Sequence, residues 1–195
     1  DIKELLTIKG LIRKGEATAG ARFAGVPDDR IHFMDLPFYD KFKYRNSKDF
    51  EDDILQTMEL LRKIRPHQVF TAGDFEDPHG THKVCFNIVL QALIRLKITD
   101  DWVKDCWLWL YRGAWHEFEI YEIEMAVPLS PEEVKRKRLA IFKHQSQKDL
   151  PVFPGDDSRE FWVRAEDRTS ETANAYNRLG LAEYAAIEAF KRFHF

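Results

Sequence analysis

Apolar residues recur at helical spacing in some segments of the chain and at strand spacing in others. Residues 1–24 predict a helix with one apolar face, made by Ile2, Leu5, Leu6, Leu11 and Ile12. A second helix is predicted over 49–64, because an acidic first turn begins it and Pro66 follows it. Residues 67–73 predict a strand and residues 79–97 a helix, and this order is typical of the βα units of a parallel sheet.

The rest of the chain continues the alternation of helices and strands. Short strands are predicted at 31–34, 106–111 and 120–127. Ser130 and Glu133 form a capping-box pattern around Pro131, which predicts the start of another helix. The sequence from about 158 on predicts two helices separated by Gly180. No repeat or interdomain linker is visible, so we expect one α/β domain over residues 1–195.

Composition narrows the kind of protein. The net charge of −3 gives no reason to expect a nucleic-acid or anionic membrane partner. The basic run 135–138 follows Glu132 and Glu133, so we expect it to form a solvated helix face. No apolar run approaches the ~18 residues of a membrane span, and no signal peptide is visible. Cys85 and Cys106 each lie among apolar residues, so we expect both to be buried, reduced thiols. We therefore expect a cytoplasmic protein.

The stretch 74–82 is the one most suited to chemistry, because it joins a predicted strand to a predicted helix. His79 and His82 lie three apart at the helix start, so both can address one ligand, and neutral imidazole binds zinc and similar metals. Asp74 and Asp77 are close enough in sequence to orient them. The alternative is a chance pair of histidines, with both aspartates capping the helix. Two ligands also fall short of the three typical of catalytic zinc.

Two further stretches carry distinctive side chains. Residues 107–111 alternate like a buried strand and lead into Arg112, which could anchor a hydroxyl, carboxylate or phosphate group. We expect Trp107 and Trp109 to pack in the core. For Trp115, both core packing and stacking on a sugar ring are left open. Residues 137–147 predict an amphipathic helix with His144 near its C-terminal end, where a protonated imidazole would interact with the helix dipole.

Together these stretches resemble the PIG-L/LmbE family of zinc-dependent N-acetylglucosaminyl deacetylases. The resemblance implies a Rossmann-like, three-layer α/β domain with a mostly parallel sheet. It also implies that His82 is a metal ligand and that His79 stabilises the oxyanion. The Pro-Asp usual between these histidines is replaced by Gly80-Thr81, so Asp77 is the candidate that orients a histidine. A further family pattern is matched by Lys137, Ala140, His144, Ser146 and Gln147.

The family's other metal motif, Ala-His-Pro-Asp-Asp-Glu after the first strand, has no counterpart here. We therefore expect an N-terminally truncated domain that lacks its first strand, retains zinc poorly and is inactive alone. The resemblance is closest to a bacterial subgroup in which this domain follows a glucosamine-6-phosphate deaminase-like domain.

For the intact protein this resemblance implies a metal-dependent hydrolase that removes an N-acetyl group from an amino sugar or sugar phosphate. By their side-chain chemistry, Arg112 and Trp115 are the candidate substrate contacts. The implied partners are the amino-sugar substrate and the fused domain, with homo-oligomerisation left open. One alternative is a non-catalytic sugar-binding or interaction domain that serves the fused enzyme. Another is a protein whose deaminase activity resides entirely outside this chain.

Overall fold

The computed structural model describes residues 2–39, 50–75, 80–113, 116–148, 158–180 and 183–195. Within these ranges the helices are α1 (Ile2–Phe23), α2 (Glu51–Ile64), α3 (Thr81–Thr99), α4 (Pro131–Ile141) and α5 (Phe161–Arg178). The strands are β1 (Gln68–Ala72), β2 (Trp107–Tyr111), β3 (Met125–Leu129) and β4 (Ala186–Phe193). Short 3₁₀ helices cover Asp28–Arg30, Pro37–Tyr39, Asp101–Asp105 and Ile120–Glu122.

The strands form one sheet in the order β1-β2-β4-β3. β1 and β2 are parallel, with Gln68 opposite Trp107 and Ala72 opposite Tyr111. β4 runs antiparallel to β2, with Leu108 opposite Phe193. The predicted α/β class is confirmed, and the sheet combines parallel and antiparallel pairs.

The chain divides into two compact units. The first contains residues Asp1–Phe33 and Ala126–Glu188, and the second contains Met34–Met125 and Ala189–Phe195. The single-domain interpretation of residues 1–195 stays a prediction.

The hydrophobic core of the second unit is built on α3 and β2. Along α3, Ile88, Leu93 and Leu96 are fully buried at helical spacing, as the apolar periodicity predicts. Leu108 and Leu110 of β2 are buried in the same cluster, which α2 completes with Ile54, Met58 and Leu61. Burying a side chain of this size stabilises the fold by roughly 1.5–3 kcal/mol relative to exposure.

The first unit is held together by ion pairs between its helices and the start of β4. Arg138 forms a two-pronged pair with Glu166 at 2.6 and 2.5 Å, and its guanidinium lies 4.7 Å from the centre of the Trp162 ring. Lys137 donates to Glu188, which also accepts from Arg168 at 3.2 Å. Within the basic run 135–138, Lys135 and Arg136 are exposed as predicted, whereas Lys137 and Arg138 are partly buried by these ion pairs.

The predicted helix α1 forms, but its apolar face is exposed in this unit. Its first two turns carry Ile2 at 71% exposure and Leu5 at 51%, and Leu11 is 65% exposed. Burial in α1 is confined to Gly20 near its C-terminal end.

Three predicted elements differ from the structure. Residues 31–34 pair with no strand of the sheet, and Asp35 directly after them adopts a left-handed φ of 47°. Residues 120–122 form a 3₁₀ helix closed by a capping box between Glu119 and Glu122, so β3 begins only at Met125. The prediction of a second C-terminal helix is wrong, because the chain forms the strand β4 after Gly180.

The predicted start of α4 is confirmed at the level of its side chains. The Ser130 hydroxyl accepts from the Glu133 amide at 3.3 Å, and the Glu133 carboxylate accepts from the Ser130 amide at 2.7 Å. This reciprocal pair satisfies two helix N-terminal donors.

None of the helices in the described part of the chain is both long and apolar enough to cross a bilayer. Cys85 and Cys106 are free thiols, and burial raises the pKa of Cys106.

The ion pairs of Glu188 predict a pH-dependent contribution to stability. Burial raises the pKa of Glu188, but the charge and hydrogen bond of Lys137, together with Arg168, lower the pKa below its usual 4.5. A carboxyl whose folded pKa is depressed stabilises the protein above its unfolded pKa. That contribution is lost as the pH falls through the folded pKa. Glu188→Gln should therefore destabilise the protein at pH 7 by about 1–3 kcal/mol and flatten the stability loss below pH ~4.5.

Urea unfolding from pH 7 down to pH 3 measures both effects. Glu171→Gln on the exposed side of α5 is the matched control and should change stability by less than about 0.5 kcal/mol. Equal pH profiles for Glu188→Gln and the wild type would contradict the role of these ion pairs.

Candidate functional site

The candidate site lies where β1 and β2 end side by side. Because the two strands are parallel, their carboxyl ends meet at one edge of the sheet, where ligands of open α/β folds bind. The Gly73 amide donates to the Tyr111 carbonyl at 2.7 Å, which extends the pairing one residue past β1. A side chain at position 73 would put its Cβ 3.0 Å from the Leu110 Cβ, so glycine permits this close approach. The loops after both strands therefore start next to each other.

Asp74 is the centre of the described part of the site. It is 2% exposed, and a carboxylate so buried requires compensating partners. The Gly113 amide donates to its Oδ2 at 2.5 Å, and the Arg112 Nη1 lies 3.5 Å from its Oδ1. These contacts join the loop after β1 to the loop after β2. Asp74 therefore fixes the start of the segment that contains Asp77 and His79, instead of capping α3.

Arg112 is held on two sides. Its guanidinium carbon lies 4.7 Å from the centre of the Phe118 ring, and its side chain is 23% exposed. Among the described residues its buried Nε has no hydrogen-bond partner. Because the 3.5 Å contact to Asp74 is long, the guanidinium keeps donor capacity for another acceptor. Its predicted role in substrate binding stays a prediction.

Tyr111, the last residue of β2, carries a neutral hydroxyl. The residue is 40% exposed at the surface, yet partial burial raises the pKa of its hydroxyl and the negative charge of Asp74 raises that pKa further. The phenol therefore stays protonated at neutral pH and can donate a hydrogen bond.

His82 lies in the first turn of α3. The helix starts after Gly80, whose left-handed φ of 66° suits glycine, and the Val84 amide donates to the Gly80 carbonyl at 3.1 Å. His82 is half-buried. The other predicted residues of this site, Asp77, His79 and Trp115, lie outside the described residues.

The donor set for a metal is incomplete within the described ranges. No group of three or more His, Cys, Asp or Glu side chains there could hold a metal ion. A catalytic zinc site uses about three protein ligands, and His82 supplies one imidazole. Asp74 is engaged by Gly113 and Arg112. The described residues therefore do not fit a zinc ion by themselves, and the assignment of His82 as a ligand stays a prediction.

The further motif at 137–147 contacts α1 and β4 within its own unit. The Ser146 amide and hydroxyl donate to the Glu16 carboxylate at 2.6 and 2.7 Å. A Cβ at Gly20 would lie 3.1 Å from the His144 Nε2, so Gly20 makes room for this imidazole. With the Lys137–Glu188 pair, these contacts give the motif a packing role.

Several residues that shape the site carry no distinctive sequence pattern of their own. The amide of Gly113, the Tyr111 hydroxyl and the Phe118 ring all contact or influence Asp74 or Arg112. The available signal was a glycine directly after the arginine that follows β2, where a backbone amide can approach a carboxylate closely.

Two solved structures share the fold. The chain is similar to the conserved protein TT1542 of Thermus thermophilus, with a TM-score of 0.56, 19% identity, and coverage of 92% of this chain and 72% of that one. It is also similar to GalB, the 4-carboxy-2-hydroxymuconate hydratase of Pseudomonas putida, with a TM-score of 0.62, 15% identity, and coverage of 94% and 72%. At these identities the likeness shows the fold alone.

Two sequence similarities are found. Residues 4–93 match the PIG-L family, described as GlcNAc-PI de-N-acetylase. The chain is also 52% identical over 191 residues to the putative glucosamine-6-phosphate deaminase-like protein of Bacteroides thetaiotaomicron. That alignment covers 97% of this chain and 29% of the relative. The resemblance to the PIG-L family is confirmed as a sequence similarity over residues 4–93.

The Asp74–Gly113 contact generates a stability prediction. Gly113→Ala would put a Cβ 2.5 Å from the Asp74 Oδ2, which displaces a buried carboxylate from its partners. We expect a loss of about 1–3 kcal/mol in the free energy of unfolding, measured by urea titration.

Gly15→Ala is the matched control, because a Cβ there meets nothing within 4 Å in the helix α1. It should leave stability unchanged or raise it by up to ~1 kcal/mol. If both variants unfold like the wild type, Asp74 is not held by this contact.

Proposed function

We propose that this chain is part of a metal-dependent hydrolase that removes an N-acetyl group from an amino sugar or a sugar phosphate. The observation that carries the proposal is the PIG-L match over residues 4–93, because it includes β1, the loop after it and the start of α3. The chain spans 29% of the length of the curated relative it matches. The activity is therefore proposed for a protein that contains this chain within a longer polypeptide.

The proposal gives each candidate residue one role. His82 supplies one metal ligand, His79 donates to the oxyanion, and Asp77 orients one of the histidines. A bound zinc or similar ion would supply the Lewis acid that polarises the acetyl carbonyl. The further ligands and the general base lie beyond the described residues.

The buried carboxylate of Asp74 supports a role for the loop after β1 in the proposed site. Because Asp74 is tied to Gly113 and near Arg112, the two residues before position 76 are anchored at the sheet edge. An anchored start of this loop supports the proposal that the loop after β1 contributes side chains to the site.

The substrate contacts are proposed on the adjacent loop. Arg112 retains donor capacity for a hydroxyl or phosphate oxygen, and Trp115 provides an aromatic ring for a sugar face. The neutral Tyr111 hydroxyl gives a further donor at the same edge.

A second candidate function is a non-catalytic sugar-binding or interaction domain. The observation in its favour is the name of the 52% identical relative, a putative glucosamine-6-phosphate deaminase-like protein, of which this chain covers only 29%. In this reading the chain serves a deaminase-type enzyme elsewhere in the polypeptide.

The ligand assignment predicts the metal content of the full-length protein that contains this chain. It should hold about one zinc or similar ion per chain, and His82→Ala should remove most of it, measured by elemental analysis after dialysis. His67→Ala, at an exposed position before β1, is the matched control and should retain the metal. Unchanged metal content in His82→Ala would exclude His82 as a ligand. The 195-residue chain alone should lose its metal to a chelator.

The reaction is tested with the same full-length variants. Acetate release from N-acetylglucosamine 6-phosphate should fall by about 100-fold or more in His82→Ala, because the oxyanion then loses its strongest stabilising group. Ammonia release from glucosamine 6-phosphate should be unchanged in that variant. No acetate release by the wild type, with sugar binding intact, would support the non-catalytic alternative.

A further inference from the structure

A second concave site lies at the opposite end of β2 from the candidate site. A cavity of about 160 Å³ opens where β2 begins, where β4 ends and beside the 3₁₀ helix Asp101–Asp105. Its walls belong to the second unit and include Lys97, Lys104, Trp107, Arg192, His194 and Phe195. The five residues of β2, at ~3.3 Å each, separate it from the Asp74 edge by roughly 15 Å.

The cavity collects positive charge. Lys97, Lys104 and Arg192 are cations at neutral pH, and His194 adds a further nitrogen donor. None of the side chains that line it, all of which the structure describes, is acidic, and in the 195-residue chain the terminal carboxylate of Phe195 offsets one of these positive charges. Asp101 pairs with Lys104 at 2.6 Å, but the two side chains are 95% and 65% exposed. A pair this exposed contributes little and leaves Lys104 available to another anion.

Arg192 is oriented by an aromatic surface. Its guanidinium carbon lies 4.0 Å from the centre of the Trp107 ring, which is a close stacking distance. Trp107 is supported by the buried Trp109, with ring centres 5.8 Å apart. No carboxylate among the described residues forms an ion pair with this guanidinium. Stacking covers one face of the group and leaves its edge, which carries the N–H fork that matches phosphate geometry.

Lys97 is held in place by the last described residue of the chain. Its Nζ donates to the Phe195 carbonyl and lies 5.1 Å from the centre of the Phe195 ring. An ammonium has three donors, so this arrangement fixes its position and still leaves donors for a ligand. Lys97 and Arg192 are therefore both held in position in the cavity wall, and Arg192 is the cation whose charge is not paired with a carboxylate of the described residues.

The size of the cavity limits its occupant. At about 30 Å³ per water, 160 Å³ corresponds to roughly five water molecules. A tetrahedral phosphate group fits this space, whereas whole drug-sized ligands occupy pockets of about 300–1,000 Å³. A phosphate group inside the cavity with the rest of a small molecule outside it satisfies both the charge and the volume.

We propose that this cavity binds the phosphate group of a small phosphate monoester or inorganic phosphate, with the Arg192 fork as its main donor. The site is independent of the proposed deacetylase function, because it shares no residue with the Asp74 edge.

Calorimetric titration of the 195-residue chain with inorganic phosphate at low salt tests the proposal. We expect saturable binding that weakens by about tenfold or more in Arg192→Gln and also weakens in Lys104→Gln. Lys63→Gln on α2 makes the same charge change at an exposed position away from the cavity and should bind like the wild type. Arg192→Lys keeps the charge and loses the fork, so its binding should also be weaker.

The source of the phosphate is decided by further titrations. Tighter binding of glucose 6-phosphate than of inorganic phosphate identifies a phosphate monoester, and the reverse order identifies free phosphate. Glucose without phosphate should not bind. No saturable binding up to ~10 mM phosphate, or equal affinity in all variants, would overturn the proposal. Thermal unfolding of each variant checks its fold, and if Arg192→Gln is unfolded, Lys104→Gln decides the outcome.

Discussion

The parallel pairing of β1 with β2 is the constraint on which the candidate site depends. It places the ends of two strands, distant in sequence, at one sheet edge, where the buried Asp74 carboxylate meets the Gly113 amide and Arg112. A carboxylate this buried would destabilise the fold without those partners. The loop that leads to α3 and the loop that follows β2 are therefore fixed to each other by a single side chain.

In the first unit, ion pairs connect elements that are distant in sequence. Lys137, Arg138, Glu166 and Glu188 connect α4 to α5 and to the start of β4, and Glu16 accepts from Ser146 after α4. These contacts account for much of the 137–147 motif by packing. The contacts of Lys137 and Ser146 show that distinctive residues of this stretch position helices within the first unit.

The two sites proposed for this chain use opposite ends of β2. The Asp74 edge combines a buried carboxylate, an arginine and a tyrosine with a raised pKa. The other end carries positive charge on an aromatic support. One short strand therefore separates an edge suited to directional hydrogen bonding from a cavity suited to holding an anion.

The sequence by itself determined most of the local elements and the similarity to the PIG-L family. Periodicity predicted α1, α2 and α3, the Ser130 and Glu133 pattern predicted the start of α4, and separated motifs indicated the PIG-L segment. Tertiary structure decided β4, because its strand state depends on hydrogen bonds to β2 that residues 186–193 cannot reveal alone. It also decided that Asp74 contacts Gly113 and that Arg192 stacks on Trp107. Both pairs are far apart in the chain, and no local pattern records such contacts.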